Sequence, residues 1–86
     1  MCKKEVKIST YLSNPESSFH EEFITNCDEY ISENYSALTN EEIKYIASEI
    51  NGEFMNNPDL EIEDYTGIVD IAIFDIENGE FEIKYL

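Results

Sequence analysis

Apolar positions along this chain repeat with two different periods, and the change of period divides it into elements. Residues 5–12 alternate, with Val6, Ile8, Thr10 and Leu12 on one side, the pattern of a half-buried strand. Ser13, Asn14 and Pro15 interrupt it, and Pro15 suits the first turn of a helix with Ser13 or Asn14 as N-cap. Phe19, Phe23, Cys27, Tyr30 and Ile31 then recur at helical spacing, while Glu21, Glu22, Asp28, Glu29 and Glu33 occupy the opposite face. A second helix begins at Thr39, which forms a T-x-x-E capping box with Glu42. Leu38 and Ile43 stand where a hydrophobic staple would sit. Ile43, Ile46, Ala47 and Ile50 form its inward stripe. Gly52 is its C-terminal cap unless Phe54 carries the stripe one turn further, and residues 56–59 make a loop.

The remainder reads as a β-hairpin. Residues 67–76 are rich in β-branched side chains, Asn78-Gly79 matches a type I′ turn, and residues 80–86 return. That turn sets Ile76 opposite Phe81, Phe74 opposite Ile83 and Ala72 opposite Tyr85, which makes an apolar face to pack on the helices. The other face holds Val69, Ile71, Ile73 and Leu86, with Asp75 and Glu82 nearer the turn, and the alternation from Leu60 to Glu63 adds a short further strand. The expected fold is therefore α+β: one acidic domain over residues 1–86, in the order β-α-α-β-β, with two helices packed on one face of a small antiparallel sheet.

Composition changes the picture through charge. The chain has 86 residues, of which 42% are hydrophobic and 13% aromatic, enough for one modest core and too aromatic for a disordered acidic chain. Twenty acidic residues face five lysines and no arginine, for a net charge of −15. Lys3, Lys4 and Lys7 precede Ile8, so residues 8–83 set nineteen acids against Lys44 alone. Self-repulsion of this size works against a compact state. A globule of this length has a radius of gyration near ~12 Å and is roughly 30 Å across, a span over which duplex DNA carries about 18 phosphate charges. The chain thus approaches the charge of the duplex it could replace. Having no basic patch, it is not expected to bind nucleic acid directly.

No apolar h-region follows the polar stretch before Ile8, and no run reaches membrane-spanning length, so a cytoplasmic protein with Cys2 and Cys27 as free thiols is expected. The sequon Asn34-Tyr35-Ser36 has no secretory route to make it meaningful.

Candidate chemistry adds little. His20 is the lone histidine and falls among acids at the edge of a helix. No serine or cysteine is paired with a base. Asp59, Glu61, Glu63 and Asp64 gather oxygen ligands, but the glycine and closing glutamate of an EF-hand are not in place, so diffuse cation attraction is expected and no defined metal site. Two cysteines and one histidine do not make a zinc site, and three glycines supply no phosphate-binding loop. The expectation is a protein with no catalytic residues, no cofactor and no enzymatic activity. What remains is collective: acids recur on both helix backs, in the loop at 59–64 and around residues 75–82.

A resemblance follows from these residues. The stretch from Asn78 to Leu86 looks similar to the final hairpin of the phage uracil-DNA glycosylase inhibitor, and the stretch from Thr39 to Ile46, with Glu41-Glu42 ahead of an apolar stripe, is loosely similar to its second helix. More broadly, the short, arginine-free, acidic chain resembles phage-type DNA-mimic inhibitors, anti-CRISPR proteins among them. The Glu-Ser-Ile strand through which that glycosylase inhibitor family contacts its enzyme is replaced here by Asn34-Tyr35-Ser36, so the resemblance implies a type of function and no particular target.

It implies an inhibitor that occupies the nucleic-acid-binding groove of a nuclease, CRISPR effector or DNA-repair enzyme, in the cytoplasm of the host if the chain is phage-encoded. The residues expected to contact that basic partner are Glu21, Glu22, Asp28, Glu29 and Glu33 on the first helix and Asp75, Glu77, Glu80 and Glu82 around the turn. Tyr35 or Tyr65 would add specificity. Two alternatives stay open: an immunity or antitoxin protein that neutralises a basic nuclease toxin, and a structural module that dimerises through Val69, Ile71, Ile73 and Leu86. A monomer and a homodimer both fit the sequence.

Overall fold

The computed structural model describes residues 7–12, 17–35 and 38–83. Among them the chain forms three helices: α1 (Ser18–Asn34), α2 (Asn40–Asn56) and α3 (Tyr65–Glu77). Single 3₁₀ turns at Ile8–Thr10 and Ile62–Asp64 precede α1 and α3. No strand occurs among the described residues, whose fold is all-helical rather than α+β.

The first two helices follow from their own sequences. α1 buries Phe23, Ile24, Cys27 and Ile31, with Phe19 and Tyr30 half-buried beside them, so its expected inward face stands. Its N-cap is Ser17, whose Oγ accepts from the His20 N–H at 3.2 Å. The expected caps Ser13 and Asn14, and Pro15, lie outside the described residues. α2 starts as expected: the Glu42 N–H donates to Thr39 Oγ1 at 3.2 Å and the Thr39 N–H donates to Glu42 Oε1 at 2.8 Å. Leu38 and Ile43 both enter the core. Gly52 is buried inside α2 and caps nothing. The helix runs on to Asn56, and Phe54 extends the apolar stripe.

The expected hairpin is a helix, and side-chain sorting explains why. As a strand, residues 68–76 would place Asp70 in line with Ala72, Phe74 and Ile76, and Asp75 in line with Val69, Ile71 and Ile73. Each face would then carry a carboxylate. At helical spacing the same residues put Val69, Ala72 and Ile73 on one buried face and turn Asp70 out to solvent. β-branched residues in a helix cost up to about 0.7 kcal/mol each. Burying a valine or isoleucine contributes about 1.5–3 kcal/mol, so core contact outweighs local preference.

Asn78-Gly79 then acts as a helix stop. Gly79 takes φ 70°, its N–H donates to the Ile76 carbonyl at 3.0 Å, and the Glu80 N–H donates to the Asp75 carbonyl at 2.9 Å. These two bonds are a Schellman motif, in which glycine takes the left-handed position after a helix. The same dipeptide therefore serves either turn, and the packing of the preceding segment decides between them. The predicted pairing of Phe81 and Ile83 with the 67–76 segment is lost with the hairpin, and the proposed partners Tyr85 and Leu86 lie outside the described residues.

Two other strand expectations fail. Of the segment at 5–12, residues 8–10 form a 3₁₀ turn, and residues 5 and 6 lie outside the described residues. Its anchor is Asp28 of α1, which accepts from the Ile8 N–H at 2.7 Å and the Ser9 N–H at 3.4 Å and seats Ile8 in the core at 0% exposure. The alternating run at 60–63 is instead a turn in which the Glu61 N–H donates to Asp64 Oδ2 at 3.0 Å. A 3₁₀ turn repeats every three residues and a strand every two, and over so short a run period alone does not separate them.

Aromatic rings join the three helices. Phe23 is fully buried and packs edge-on against Phe54 of α2 at 5.4 Å and Tyr65 of α3 at 6.5 Å. Tyr65 continues to Tyr30 at 5.7 Å and Tyr30 to Tyr35 at 6.0 Å. Among the described residues no helix is long and apolar enough to cross a membrane.

Thr39→Ala removes one half of the capping box without touching the core. It should lower stability by about 1 kcal/mol, read as a shift in the urea midpoint at unchanged helical circular dichroism. A variant as stable as wild type would show that the box contributes nothing.

Candidate functional site

Every described aspartate and glutamate is exposed or half-buried, so the negative charge is displayed and none of it is held in the core. This follows from the helix patterns, since charging a buried carboxylate without a partner is costly. Among the described residues Lys7 and Lys44 are the cations, and neither lies on α3 or its C-terminal turn.

The nine expected contact residues lie on two stretches, five on α1 and four on the last turn of α3 and the residues that follow it. On α1, Glu21, Glu22, Glu29 and Glu33 are exposed, but Asp28 is engaged with the backbone of the Ile8–Thr10 turn and serves the fold. Asp28, Glu29 and Glu33 line a shallow groove together with Lys7, Ser9, Thr25 and Ser32, so a lysine shares this part of the acidic face. At the other end Glu77, Glu80 and Glu82 are exposed and Asp75 is half-buried. Tyr45 of α2 donates its hydroxyl to Asp75 Oδ2 at 2.9 Å, and its ring packs on Phe81 at 5.3 Å.

Asp70 is the carboxylate that the strand reading passed over. Tyr30 and Tyr35 both donate their hydroxyls to its Oδ1, at 2.8 and 2.7 Å. A carboxylate has acceptor sites on both oxygens, so this double bond-in fixes the direction of the group and leaves Oδ2 able to accept from another donor. Tyr35, expected to be a free recognition residue, is half-buried and works as a clamp. Tyr65 is likewise half-buried and belongs to the ring chain. A helical reading of residues 65–77 turns Asp70 outward, but its two tyrosine partners lie 40 and 35 residues away in the chain and are brought to it only by the fold.

The dimerisation face fails with the sheet: Val69 and Ile73 are buried against the other helices, Ile71 is exposed, and Leu86 lies outside the described residues. His20 is half-buried and stacked on Phe54 at 4.0 Å, at the core edge. In the 59–64 segment Asp64 is occupied by the Glu61 N–H, and no group of three or more possible ligands is gathered among the described residues. Cys27 is a free, fully buried thiol, and Cys2 lies outside the described residues.

Protonation follows from these contacts. Burial, and then the charge of Asp28, push the Cys27 thiol up from 9.0 to about 12. The phenols of Tyr30 and Tyr35 are raised first by donating to Asp70, and that of Tyr45 first by burial and then by its bond to Asp75. Each of these groups holds its proton more tightly folded than unfolded. Their contribution to stability is therefore intact below the ordinary values and declines as pH rises above them.

Tyr45→Phe isolates one of these groups. The variant should lose about 1 kcal/mol at neutral pH, the usual cost of one hydrogen bond. Its stability should also decline less than that of wild type above about pH 10, measured by urea denaturation. Parallel declines in the two proteins would remove Tyr45 from the alkaline response.

No family model, curated protein or solved structure matches this chain.

Proposed function

We propose that the chain is a protein inhibitor that acts as an acidic nucleic-acid mimic. It occupies the nucleic-acid-binding groove of a basic enzyme of host defence or repair, in the cytoplasm where that enzyme works. On this reading the chain carries out no catalysis. Its carboxylates take the places of phosphates against lysine and arginine side chains, and the long-range field speeds encounter.

The observation that carries the reading is the display of charge. A net −15 is spread over a body of 39 × 29 × 22 Å with every described carboxylate at or near the surface. Duplex DNA as long as the 39 Å axis carries about 23 phosphate charges. The protein therefore offers roughly two-thirds of that charge on a comparable length. Asp70 and Asp75 add to this because tyrosine hydroxyls hold them in fixed directions, so less side-chain entropy is lost when a cation meets them. The exposed glutamates around them supply the field.

The test is competition. The chain, immobilised and exposed to a nuclease-treated bacterial lysate, should retain nucleic-acid-binding proteins, and a short DNA duplex added to the wash should release them. Retained proteins that DNA does not displace would contradict the shared groove.

A further inference from the structure

The outer side of α3 carries an apolar row that charge alone does not use. Helical spacing aligns Gly67, Ile71 and Phe74 over about 10 Å of the helix, and Ile71 and Phe74 are 63% and 64% exposed. Asp70 and Glu77 fall along one edge of this row and Asp75 along the other. A helix apolar on all sides is ordinarily covered on all sides. α3 buries Val69, Ala72 and Ile73 against its own fold and leaves the opposite row bare.

Gly67 gives the row a second mark. A Cβ placed there would meet no atom within 4 Å, and Gly79 is the one described glycine with a positive φ. The fold therefore has no steric or conformational use for glycine at position 67, where it weakens the helix. A bare backbone is useful where another surface approaches closely.

A second copy of the chain is a poor occupant. Each copy carries −15, and apposed rows would bring Asp70, Asp75 and Glu77 of one against those of the other. The same carboxylates favour a cationic occupant.

We infer that the Gly67–Ile71–Phe74 row of α3 is the docking edge of the inhibitor, seated in an apolar pocket of a partner protein whose rim carries lysine or arginine. Phe74 and Ile71 fill the pocket, Gly67 lets the partner backbone close on the helix, and Asp70, Asp75 and Glu77 meet the cationic rim. The inference rests on the reading of the partner as cationic, and it adds that an apolar anchor selects among cationic surfaces.

Two synthetic probes separate the inference from that reading: an amphipathic helical peptide of leucine and lysine, and a peptide of equal length and charge with serine and glycine replacing leucine. Binding to the full chain is followed by fluorescence anisotropy at low salt. Wild type should bind the leucine peptide about tenfold more tightly than its control, with amide shifts concentrated at residues 67–77. The double variant Ile71→Ser/Phe74→Ser and the single variant Gly67→Gln should both lose that preference while still binding the control. Gly67→Gln should melt no lower than wild type, so its loss cannot come from unfolding. A preference that survives in both variants would overturn the inference and leave the electrostatic reading standing. Failure of wild type to bind either peptide would overturn the electrostatic reading and the inference with it. Concentration-dependent dimerisation by sedimentation, abolished by Ile71→Ser/Phe74→Ser, would assign the row to a second copy and overturn the inference.

Discussion

Phe23 is the point on which this structure depends. It is fully buried in α1 and meets Phe54 of α2 and Tyr65 of α3, so one ring touches all three helices. Around it the chain must assemble a core against its own electrostatic repulsion, because a net −15 on 86 residues favours expansion. The apolar faces of the helices supply the cohesion. Val69, Ala72 and Ile73 complete the core from α3, and Ile8 closes it from the N-terminal turn. That closure depends on Asp28, which binds the backbone of the turn and is thereby removed from the set of freely presented acids.

The tyrosines connect this core to the surface. Tyr30, Tyr35 and Tyr45 have rings packed on the fold and hydroxyls directed to carboxylates at its edge. Each aspartate they hold is thus fixed by the core without being buried in it. This division separates the acids into two kinds. Glutamates such as Glu77, Glu80 and Glu82 are exposed and contribute to the general field. Asp70 and Asp75 are directional, and both flank the bare row of α3. Packing, hydrogen bonding and charge therefore meet on a single helix face. On α1, by contrast, Lys7 stands among the acids of the shallow groove.

How much of this was legible in the sequence varied by element. α1 and α2 were readable because each has one apolar stripe and one acidic face, and the Thr39–Glu42 box marks the start of α2 in four residues. α3 was not, because it is apolar nearly all round, which blurs the period, and because isoleucine and valine prefer strands when nothing else decides. The arbiter was the placement of two aspartates: a strand puts one on each face, and a helix keeps both off the buried side. Asn78-Gly79 misled for a related reason, since glycine at positive φ ends a helix as readily as it turns a hairpin. The placement of residues on this segment followed from the same reading. With α3 read as a strand, Asp70 pointed into an apolar face and Ile71 belonged to a sheet. The abundance and exposure of acids were visible from composition, whereas their fixing by tyrosines depends on contacts 30 to 40 residues apart in the chain.

The claim that the acidic exterior is a recognition surface is tested most directly by the salt dependence of its complex with a DNA-displaceable partner. The association constant, followed by calorimetry from about 0.05 to about 0.5 M salt, should fall steeply, by about a hundredfold or more. An affinity that stays flat across that range would mean that the carboxylates are solvated bystanders, and it would contradict the account.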